Sequence, residues 1–322
     1  MHFTFGNPER ATDPARSLPG ARSLIVGALA YAATAPDAPS GTGTATVARY
    51  SWRDRYAELR RALRAIADEL QRAGWQTQIL CDDNRLVDRA AAQRAGLGWI
   101  GKNTLLLVPG AGSWFLLGSV LTDAPLTAAA AVAQPGSGCG TCRRCRQACP
   151  TGALVADGVL DARRCLAWLL QAPGSFPAEH RQALGGRIYG CDDCQVACPP
   201  NRLAARRQPP PPPAAGDQAT VDLLALLDAD DAELLARFGH WYIPRRHARY
   251  LRRNALVALG NVGDGGAPEV QRTLRRHLAD PDPLLRAHAA WAAGRLGCRH
   301  LLHPLSGDPD PQVRAEVQAA LR

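Results

Sequence analysis

Cysteines constrain this sequence more than any other residue type, because eight of the ten fall into two related runs. The first run is Cys139, Cys142, Cys145 and Cys149 followed by Pro150, the C-x2-C-x2-C-x3-C-P spacing of bacterial ferredoxins. The second run is Cys165, then Cys191, Cys194 and Cys198 followed by Pro199. The last cysteine of such a run ligates the other cluster of the pair. We therefore predict two 4Fe-4S clusters, one held by Cys139, Cys142, Cys145 and Cys198, the other by Cys149, Cys165, Cys191 and Cys194.

Two other uses of paired cysteines explain this spacing less well. Zinc ribbons also contain C-x2-C pairs, and disulfide frameworks also use an even number of cysteines. Neither accounts for C-x3-C-P occurring twice. Cys81 and Cys298 lie outside both runs, and we expect them to be buried structural thiols. A pair of clusters indicates one-electron transfer, but it does not identify a substrate.

The cysteine runs lie between two regions of different pattern. Residues 1–130 alternate strand-like and helix-like segments, which predicts an α/β domain. Within it we expect a strand at 23–33 buried on both faces, helices at 54–73 and 87–95, a strand at 76–81, and a hairpin that pairs 104–108 with 114–121. Residues 131–208 form the predicted ferredoxin-like domain. Five consecutive prolines within 208–216 predict a stiff spacer or an extended segment along the surface, and residues 217–322 are predicted to be helical throughout.

The last of these regions contains a repeat. Related stretches begin at Leu251 and Leu284, a third fragment occupies 312–322, and Asp-Pro-Asp-Pro precedes the second and the third. A turn followed by a helix, repeated at about 30 residues, predicts HEAT-like helical repeats. From residue 239 onward there are 13 arginines against 7 acidic residues. A solvated helix face and a basic surface for an anionic polymer both fit this excess.

Net charge and hydropathy limit the partners and the cellular location that fit this sequence. Its formal net charge of +9 is compatible with binding a polyanion, although abundant Arg, Ala, Gly and Pro are also typical of GC-rich genomes. No apolar stretch approaches the roughly 20 residues of a membrane helix. Residues 1–16 are polar and lack the apolar core of a secretory signal. We therefore expect a cytoplasmic monomer with no membrane anchor.

Polar residues of the first domain crowd into residues 81–89. Asp82 and Asp83 follow a predicted strand, the usual place for catalytic groups in α/β folds, and only one of these adjacent carboxylates is expected to face a pocket. An Asx turn or a helix N-cap made by Asp83 or Asn84 explains the same residues equally well. Residues 95–103 (AGLGWIGKN) hold three glycines, Trp99 and the single lysine, Lys102, but match neither a dinucleotide fingerprint nor a P-loop.

Together these segments resemble one known family, the epoxyqueuosine reductases, which are cobalamin-dependent iron–sulfur enzymes of tRNA modification. The resemblance covers nearly the whole chain. It is carried by LPGARSLIV (18–26), AGLGWIGKN (95–103), CGTCRRCRQACPTGA (139–153), DARRC (161–165), RIYGCDDCQVACPPNR (187–202) and LRRNALVALGN (251–261). Members of the family carry a further N-terminal segment before the point where this sequence starts, and they commonly have a histidine where this chain has Tyr56.

The resemblance implies three parts: a nitroreductase-like α/β domain that binds cobalamin, a two-cluster ferredoxin-like domain, and a HEAT-like domain that binds tRNA. The implied reaction reduces epoxyqueuosine to queuosine at the wobble position, with loss of water, and draws electrons from an external low-potential donor. Asp82 stands at the family's proton-donor position, where we expect burial to raise its pKa. Its expected companions around cobalamin are Trp99, Gly101, Lys102, Asn103, Leu106 and Leu117. The expected tRNA contacts are Arg252, Arg253 and Arg286.

Three other functions stay open on the sequence alone. A corrinoid reductive dehalogenase shares the α/β and double-cluster plan, but typically has an export signal and no helical repeats. An electron carrier or scaffold would use the ferredoxin-like segment without cobalamin. A reductase of a different modified tRNA base would share every feature described above.

Overall fold

The structure is a computed structural model that describes residues 7–36, 43–127 and 138–322. Its strands are β1 (Ser23–Ala30), β2 (Thr44–Val47), β3 (Thr77–Cys81), β4 (Trp99–Ile100), β5 (Leu106–Leu107), β6 (Phe115–Thr122), β7 (Leu154–Ala156), β8 (Val159–Leu160), β9 (Arg187–Tyr189) and β10 (Thr220–Asp222). Its helices are α1 (Pro8–Thr12), α2 (Arg55–Arg72), α3 (Asp88–Arg94), α4 (Arg144–Gln147), α5 (Leu166–Leu169), α6 (Ala178–Leu184), α7 (Asp193–Val196), α8 (Pro199–Arg207), α9 (Leu223–Asp228), α10 (Asp231–Arg237), α11 (Arg249–Val262), α12 (Pro268–Leu278), α13 (Pro283–Arg295) and α14 (Pro311–Leu321). None of these helices is long and apolar enough to cross a membrane. The boundary expected at residues 130 and 131 lies outside the described ranges.

The main sheet of the first domain is antiparallel, with the strand order β1-β6-β3. Helix α2 packs on this sheet and begins after Asp54, whose side chain accepts a hydrogen bond from Ala57 N at 2.8 Å. Gly27 pairs with Gly118 in the β1–β6 register, beneath the side chain of Leu63. A Cβ at Gly118 would lie 2.7 Å from Leu63 Cδ1, so a larger residue there would push α2 away from the sheet.

Two strand predictions for this domain are wrong. Strand β1 lies at the edge of the main sheet and has exposed positions near its end, so it is not buried on both faces. The hairpin does not form either: β5 pairs with β4, β6 pairs with β1 and β3, and only Val108 bridges to Gly112 across the turn. Strand β6 lies at the centre of the main sheet, between β1 and β3. This pairing is long-range, so the local turn residues do not reveal it.

A second sheet draws strands from all three parts of the chain. Its order is β10-β2-β9, with β2 antiparallel to β10 and parallel to β9. Strand β10 therefore corrects the prediction that residues 217–322 are helical throughout. The proline segment lies along the first domain, where Thr34 donates through N to Pro211 O and through Oγ1 to Pro210 O, each at 2.8 Å. Of the two alternatives for these prolines, the extended surface segment is the one that occurs.

Helices α11 to α14 form the predicted repeat stack. Helix α13 packs against α11, α12 and α14. The Asp-Pro turns supply helix caps, since Asp282 accepts from Leu284 N at 2.9 Å and Asp310 accepts from Gln312 N at 2.8 Å. The apolar core of the stack is continuous with residues of the second sheet. The repeat helices therefore pack directly against the rest of the molecule.

Candidate functional site

The eight cysteines of the two runs lie close enough together to influence one another's pKa. Burial, together with the nearby thiols of Cys139, Cys145 and Cys142, raises the pKa of Cys198 to about 11. Burial and the thiols of Cys191 and Cys165 likewise raise the pKa of Cys194, and Cys149 adds to the raised pKa of Cys165. Helices α4 and α7, one from each run, pack against each other between the groups. Of the two remaining thiols, Cys298 is buried as expected, whereas Cys81 is only partly buried.

In the described part of the chain, no three Cys, His, Asp or Glu side chains converge closely enough to hold one metal ion, so the assignment of individual cluster ligands stays a prediction. The Sγ atom of Cys149 accepts a hydrogen bond from Ala153 N at 3.2 Å. Burial opposes ionisation of this thiol, but backbone N–H groups of Thr151, Leu154 and Ala153 hold its pKa below the usual value. Such N–H groups favour the thiolate that ligates iron.

A cavity of about 410 Å³ lies between the second thiol group and the main sheet. Cys149, Cys165, Cys191 and Cys194 line it together with Phe115, Leu116 and Leu117 of β6. Its volume falls within the range of small-molecule and cofactor sites. A larger cavity of about 800 Å³ lies beneath the proline segment, but no thiol lines it. The smaller cavity is therefore the candidate active site.

Asp82 lines this cavity, whereas Asp83 pairs with the guanidinium of Arg85 at 2.9 Å. Asp82 has a φ of 53° at the end of β3, and this left-handed conformation turns the chain so that the adjacent carboxylates diverge. Burial raises the pKa of Asp82, opposed by Arg60 and assisted by Asp83, although the residue keeps an exposed surface. The Asx turn also forms, because Asp83 Oδ1 accepts from Arg85 N at 2.9 Å. Both predictions for residues 81–89 are therefore confirmed.

Asp88 and Tyr56 line the same cavity, and the sequence did not single them out as site residues. Burial and the charge of Asp82 raise the pKa of Asp88 to about 7, and its Oδ1 is buried with no hydrogen-bond partner among the described residues. Burial followed by the charge of Asp82 also raises the pKa of Tyr56. In the sequence Asp88 looks like an ordinary acid in the first turn of a helix. Its burial, which comes from tertiary packing, is the signal that marks it.

Three of the residues expected around the cofactor line the cavity: Asn103, Leu106 and Leu117. Asn103 is 4 % exposed, and its Oδ1 accepts from Leu105 N at 3.3 Å. Its Nδ2 is buried without a partner in the residues that the structure describes. A buried amide donor without a partner is costly, and a bound acceptor group would satisfy it. Asn103 therefore offers the cavity a ligand-binding group.

Trp99, Gly101 and Lys102 do not line the cavity, and their expected contact with the cofactor stays a prediction. The Nζ atom of Lys102 donates to Gly140 O at 2.6 Å and pairs with Asp157 at 2.9 Å. The ring of Trp99 packs against the residue before Cys139. These side chains brace the loop of the first cysteine run. The sequence could not separate this role from ligand binding, because the loop approaches them only in the folded chain.

The three arginines expected to contact tRNA all make contacts within the protein. Arg253 is fully buried, and its guanidinium donates to backbone carbonyls. Arg286 makes two hydrogen bonds to the carboxylate of Asp308, at 2.8 and 2.9 Å. Arg252 pairs with Asp231 and donates to a further carbonyl at 2.8 Å. All three guanidinium groups are engaged in these contacts within the protein, and their expected contact with tRNA stays a prediction.

Comparison with known proteins matches each part of the chain to a family profile. The profile "4Fe-4S double cluster binding domain" matches residues 138–201. The profile "HEAT repeats" matches residues 245–322. The profile "Epoxyqueuosine reductase QueG, DUF1730" matches residues 11–83. The double-cluster and repeat predictions are confirmed by these matches.

Relatives match the chain over nearly its whole length. The epoxyqueuosine reductase of Bacillus subtilis is 34 % identical over 97 % of this chain and 82 % of its own, and that of Xanthomonas campestris pv. campestris is 36 % identical over 92 % and 84 %. A crystal structure of epoxyqueuosine reductase with an epoxyqueuosine-modified tRNA-Tyr stem loop superposes with a TM-score of 0.87, at 33 % identity, covering 99 % of this chain and 86 % of that one. The fold and the paired thiol groups define a two-cluster iron–sulfur oxidoreductase. More particularly, the chain belongs to the epoxyqueuosine reductase family.

Proposed function

We propose that this chain reduces epoxyqueuosine to queuosine at the wobble position of tRNA, using cobalamin in the candidate active site and two 4Fe-4S clusters. The observation that supports this most is that one cavity is lined both by Asp82 and by four thiols of one group. Reductive removal of an oxygen atom needs a proton source and an electron source in the same place. The solved relative with a modified tRNA stem loop supports the same class of substrate.

We assign an outer cluster to Cys139, Cys142, Cys145 and Cys198, and an inner cluster to Cys149, Cys165, Cys191 and Cys194. All four thiols of the inner group line the active-site cavity. Cys139 and Cys142 instead line a depression at the molecular surface. Electrons from an external donor would therefore pass from the outer to the inner cluster and then into the cavity.

The cavity has groups that fit cobalamin. The apolar side chains of Leu106, Phe115 and Leu117 offer a wall against which a flat macrocycle packs, and the unpartnered Nδ2 of Asn103 offers a donor to an amide oxygen at its rim. When bound there, cobalamin would supply a strongly reducing cobalt centre beside the inner cluster. The four thiols assigned to that cluster line the same cavity.

Asp82 holds the proton that the departing oxygen needs. The reaction takes up two electrons and two protons, releases the epoxide oxygen as water and leaves a carbon–carbon double bond. Burial raises the pKa of Asp82 and so favours the protonated acid that can donate to this oxygen. Asp88, whose pKa is raised to about 7 in the same cavity, is suited to return a proton to Asp82. General acid catalysis of this kind contributes about 10²- to 10⁴-fold to a rate.

The phosphates of tRNA need other partners than the arginines that hold the repeats together. Arg272 of α12 and Arg295 of α13 are exposed and form no ion pair within the described residues. Exposed arginines neutralise phosphates and release counterions, which makes the affinity depend on salt. We therefore place the phosphate contacts on exposed arginines of this kind.

A matched pair of variants tests the site. Protein purified without oxygen and loaded with both clusters is mixed with cobalamin, examined by ultraviolet–visible and EPR spectroscopy, and assayed for queuosine by mass spectrometry of digested tRNA. Asp82→Asn should keep the clusters and cobalamin and lose turnover by about 10²- to 10⁴-fold. Asp83→Asn is the control, because Asp83 faces Arg85 outside the cavity, and it should retain turnover.

Each part of the proposal has its own contrary result. Undiminished queuosine formation by Asp82→Asn would remove Asp82 from the mechanism. Absence of a cob(II)alamin signal from cluster-loaded protein would exclude cobalamin from the cavity. Reduction of a different modified base, with epoxyqueuosine left intact, would assign the site to another tRNA substrate.

A further inference from the structure

A basic surface surrounds the outer thiol group. We call it the outer basic surface and define it by Arg143 and Arg144 of the first cysteine run and Arg202 and Arg206 of α8. Arg143 and Arg144 line the depression that contains Cys139 and Cys142. Arg144, Arg202 and Arg206 line the neighbouring depression. Among the residues that the structure describes, no acidic side chain lines either of them.

The described residues provide no carboxylate that pairs with the arginines of this surface. All four arginines are exposed, and none of them forms an ion pair with any residue that the structure describes. Arg146, in the same run, does form an ion pair, with Asp157 at 3.2 Å. Four unpaired cations around one cluster produce a local positive potential that attracts an acidic partner.

The surface also has an apolar centre. Leu203 lies between Arg202 and Arg206 in the sequence, is 48 % exposed, and lines the same depression as Arg144. An exposed apolar residue surrounded by arginines is typical of a protein interface, where an apolar core has a polar rim. A phosphate backbone has no comparable use for a leucine. The active-site cavity shares no lining residue with this surface, so occupation of the cavity does not use it.

We propose that the outer basic surface docks a small acidic one-electron carrier, a flavin or iron–sulfur protein, which reduces the outer cluster. This rests on the proposed function in one respect, namely that Cys139, Cys142, Cys145 and Cys198 hold a cluster. In each encounter the reduced carrier loses one electron and the oxidised cluster gains it, with no bond made or broken. Two encounters supply the two electrons of one turnover. Electron-transfer encounters of this kind use small interfaces, below about 1,200 Å² in total, and depend on electrostatic steering.

The test uses the full chain with both clusters and reduced flavodoxin, a small acidic flavin protein, as the probe. The double variant Arg202→Glu/Arg206→Glu reverses two charges on α8, outside the cysteine runs. The matched control, Arg61→Glu/Arg64→Glu, makes the same change in charge at two exposed arginines of α2. Stopped-flow absorbance follows cluster reduction, and surface plasmon resonance measures binding of the carrier. Both are measured at low and at high salt.

We expect the α8 variant to bind the carrier more weakly and to be reduced at least about 10-fold more slowly than the wild type at low salt. This difference should shrink at high salt, and the α2 control should match the wild type. Sodium dithionite, which needs no docking surface, should reduce the clusters of all three proteins at one rate. The single variant Leu203→Ser, which removes the apolar centre and leaves the charge unchanged, should weaken binding at both salt concentrations.

Equal carrier-dependent rates in the wild type and the α8 variant would overturn the proposal. So would failure of the wild type to bind flavodoxin or an acidic 2Fe-2S ferredoxin. A loss of tRNA affinity in the α8 variant, with carrier reduction intact, would assign the surface to RNA instead. Failure of the proposed function gives a different result, because queuosine formation driven by dithionite would then be absent even in the wild type.

Discussion

Substitutions at Arg253 can distinguish a tRNA-binding role for this residue from a structural role. Its guanidinium lies at the C-terminal end of α5, where Nη1 donates to Ala172 O at 2.6 Å and to Gly174 O at 2.7 Å, and Nη2 donates to Leu169 O at 3.1 Å. The last carbonyls of a helix have no partner within it, so α11 of the repeat stack supplies the cap that α5 lacks. Helix α5 starts directly after Cys165, a proposed ligand of the inner cluster. The arginine therefore connects the repeats to the cluster domain.

Replacing Arg253 by alanine removes every one of these donors and leaves a cavity in a fully buried place. A buried backbone carbonyl left without its hydrogen-bond donor costs about 1–3 kcal/mol, and this substitution leaves several such carbonyls. We expect Arg253→Ala to lower the melting temperature, measured by circular dichroism at one scan rate, by several degrees and to lower the iron content. Arg253→Lys should be nearly as damaging, because one ammonium group does not reach carbonyls that a planar guanidinium spans.

The affinity for tRNA decides between the two roles. The folded fraction of Arg253→Ala should bind tRNA as the wild type does in a filter-binding assay, because the side chain has no exposed surface. Arg64→Ala, at an exposed position of α2, is the control for loss of one positive charge and should leave the melting temperature unchanged. A variant at Arg253 with the wild-type melting temperature but weaker tRNA binding would refute the structural role.

Three further predictions follow from individual contacts. Lys102→Met should lower iron content through loss of the outer cluster, measured by iron and sulfide analysis, while cobalamin titrations stay unchanged, because Lys102 holds Gly140 and not the cavity. Asp88→Asn should become more stable relative to the wild type as pH rises from about 4 to about 7, because Asp88 then ionises in the unfolded but not the folded chain. The difference in free energy of unfolding between the variant and the wild type, taken from melting curves, should be about 3 kcal/mol larger at pH 8 than at pH 5. A difference that does not change with pH would contradict the raised pKa of about 7. Arg286→Ala should cost about 3 kcal/mol by leaving Asp308 unpaired, with tRNA affinity unchanged; weaker tRNA binding at full stability would restore Arg286 as a contact.

Local chemistry explains what could be predicted from the sequence. Three cysteines spaced by two residues can wrap one cluster with few other constraints, so the spacing that begins at Cys139 carries its own meaning. The caps formed by Asp54, Asp282 and Asp310 are likewise local, since each side chain binds an N–H group two or three residues ahead. The repeat stack was predictable for the same reason, because each turn and helix is encoded within one short segment.

The site could be predicted only in part. Asp82 was identifiable because it follows a strand and stands at the family's proton-donor position, but the left-handed φ that separates it from Asp83 is a property of the folded loop. Asp88 and Tyr56 join it because α2 and α3 both pack against β6, a contact between distant segments that the sequence does not show. Lys102 shows the reverse. Its glycine-rich segment suggests a ligand-binding residue, but in the folded chain its side chain holds the loop of the first cysteine run.

The sequence by itself determined the double-cluster domain, the repeat helices and their caps, because each depends on residues close together along the chain. The tertiary structure alone decided that β2, β9 and β10 form one sheet, that Arg253 and Arg286 bond within the protein, and that four arginines near the outer thiols form no ion pair with any described residue. Burial and ion pairing depend on which distant elements pack together. The same guanidinium can cap a helix, pair with a carboxylate or remain free for a partner, and only its neighbours in the folded protein determine which of these it does.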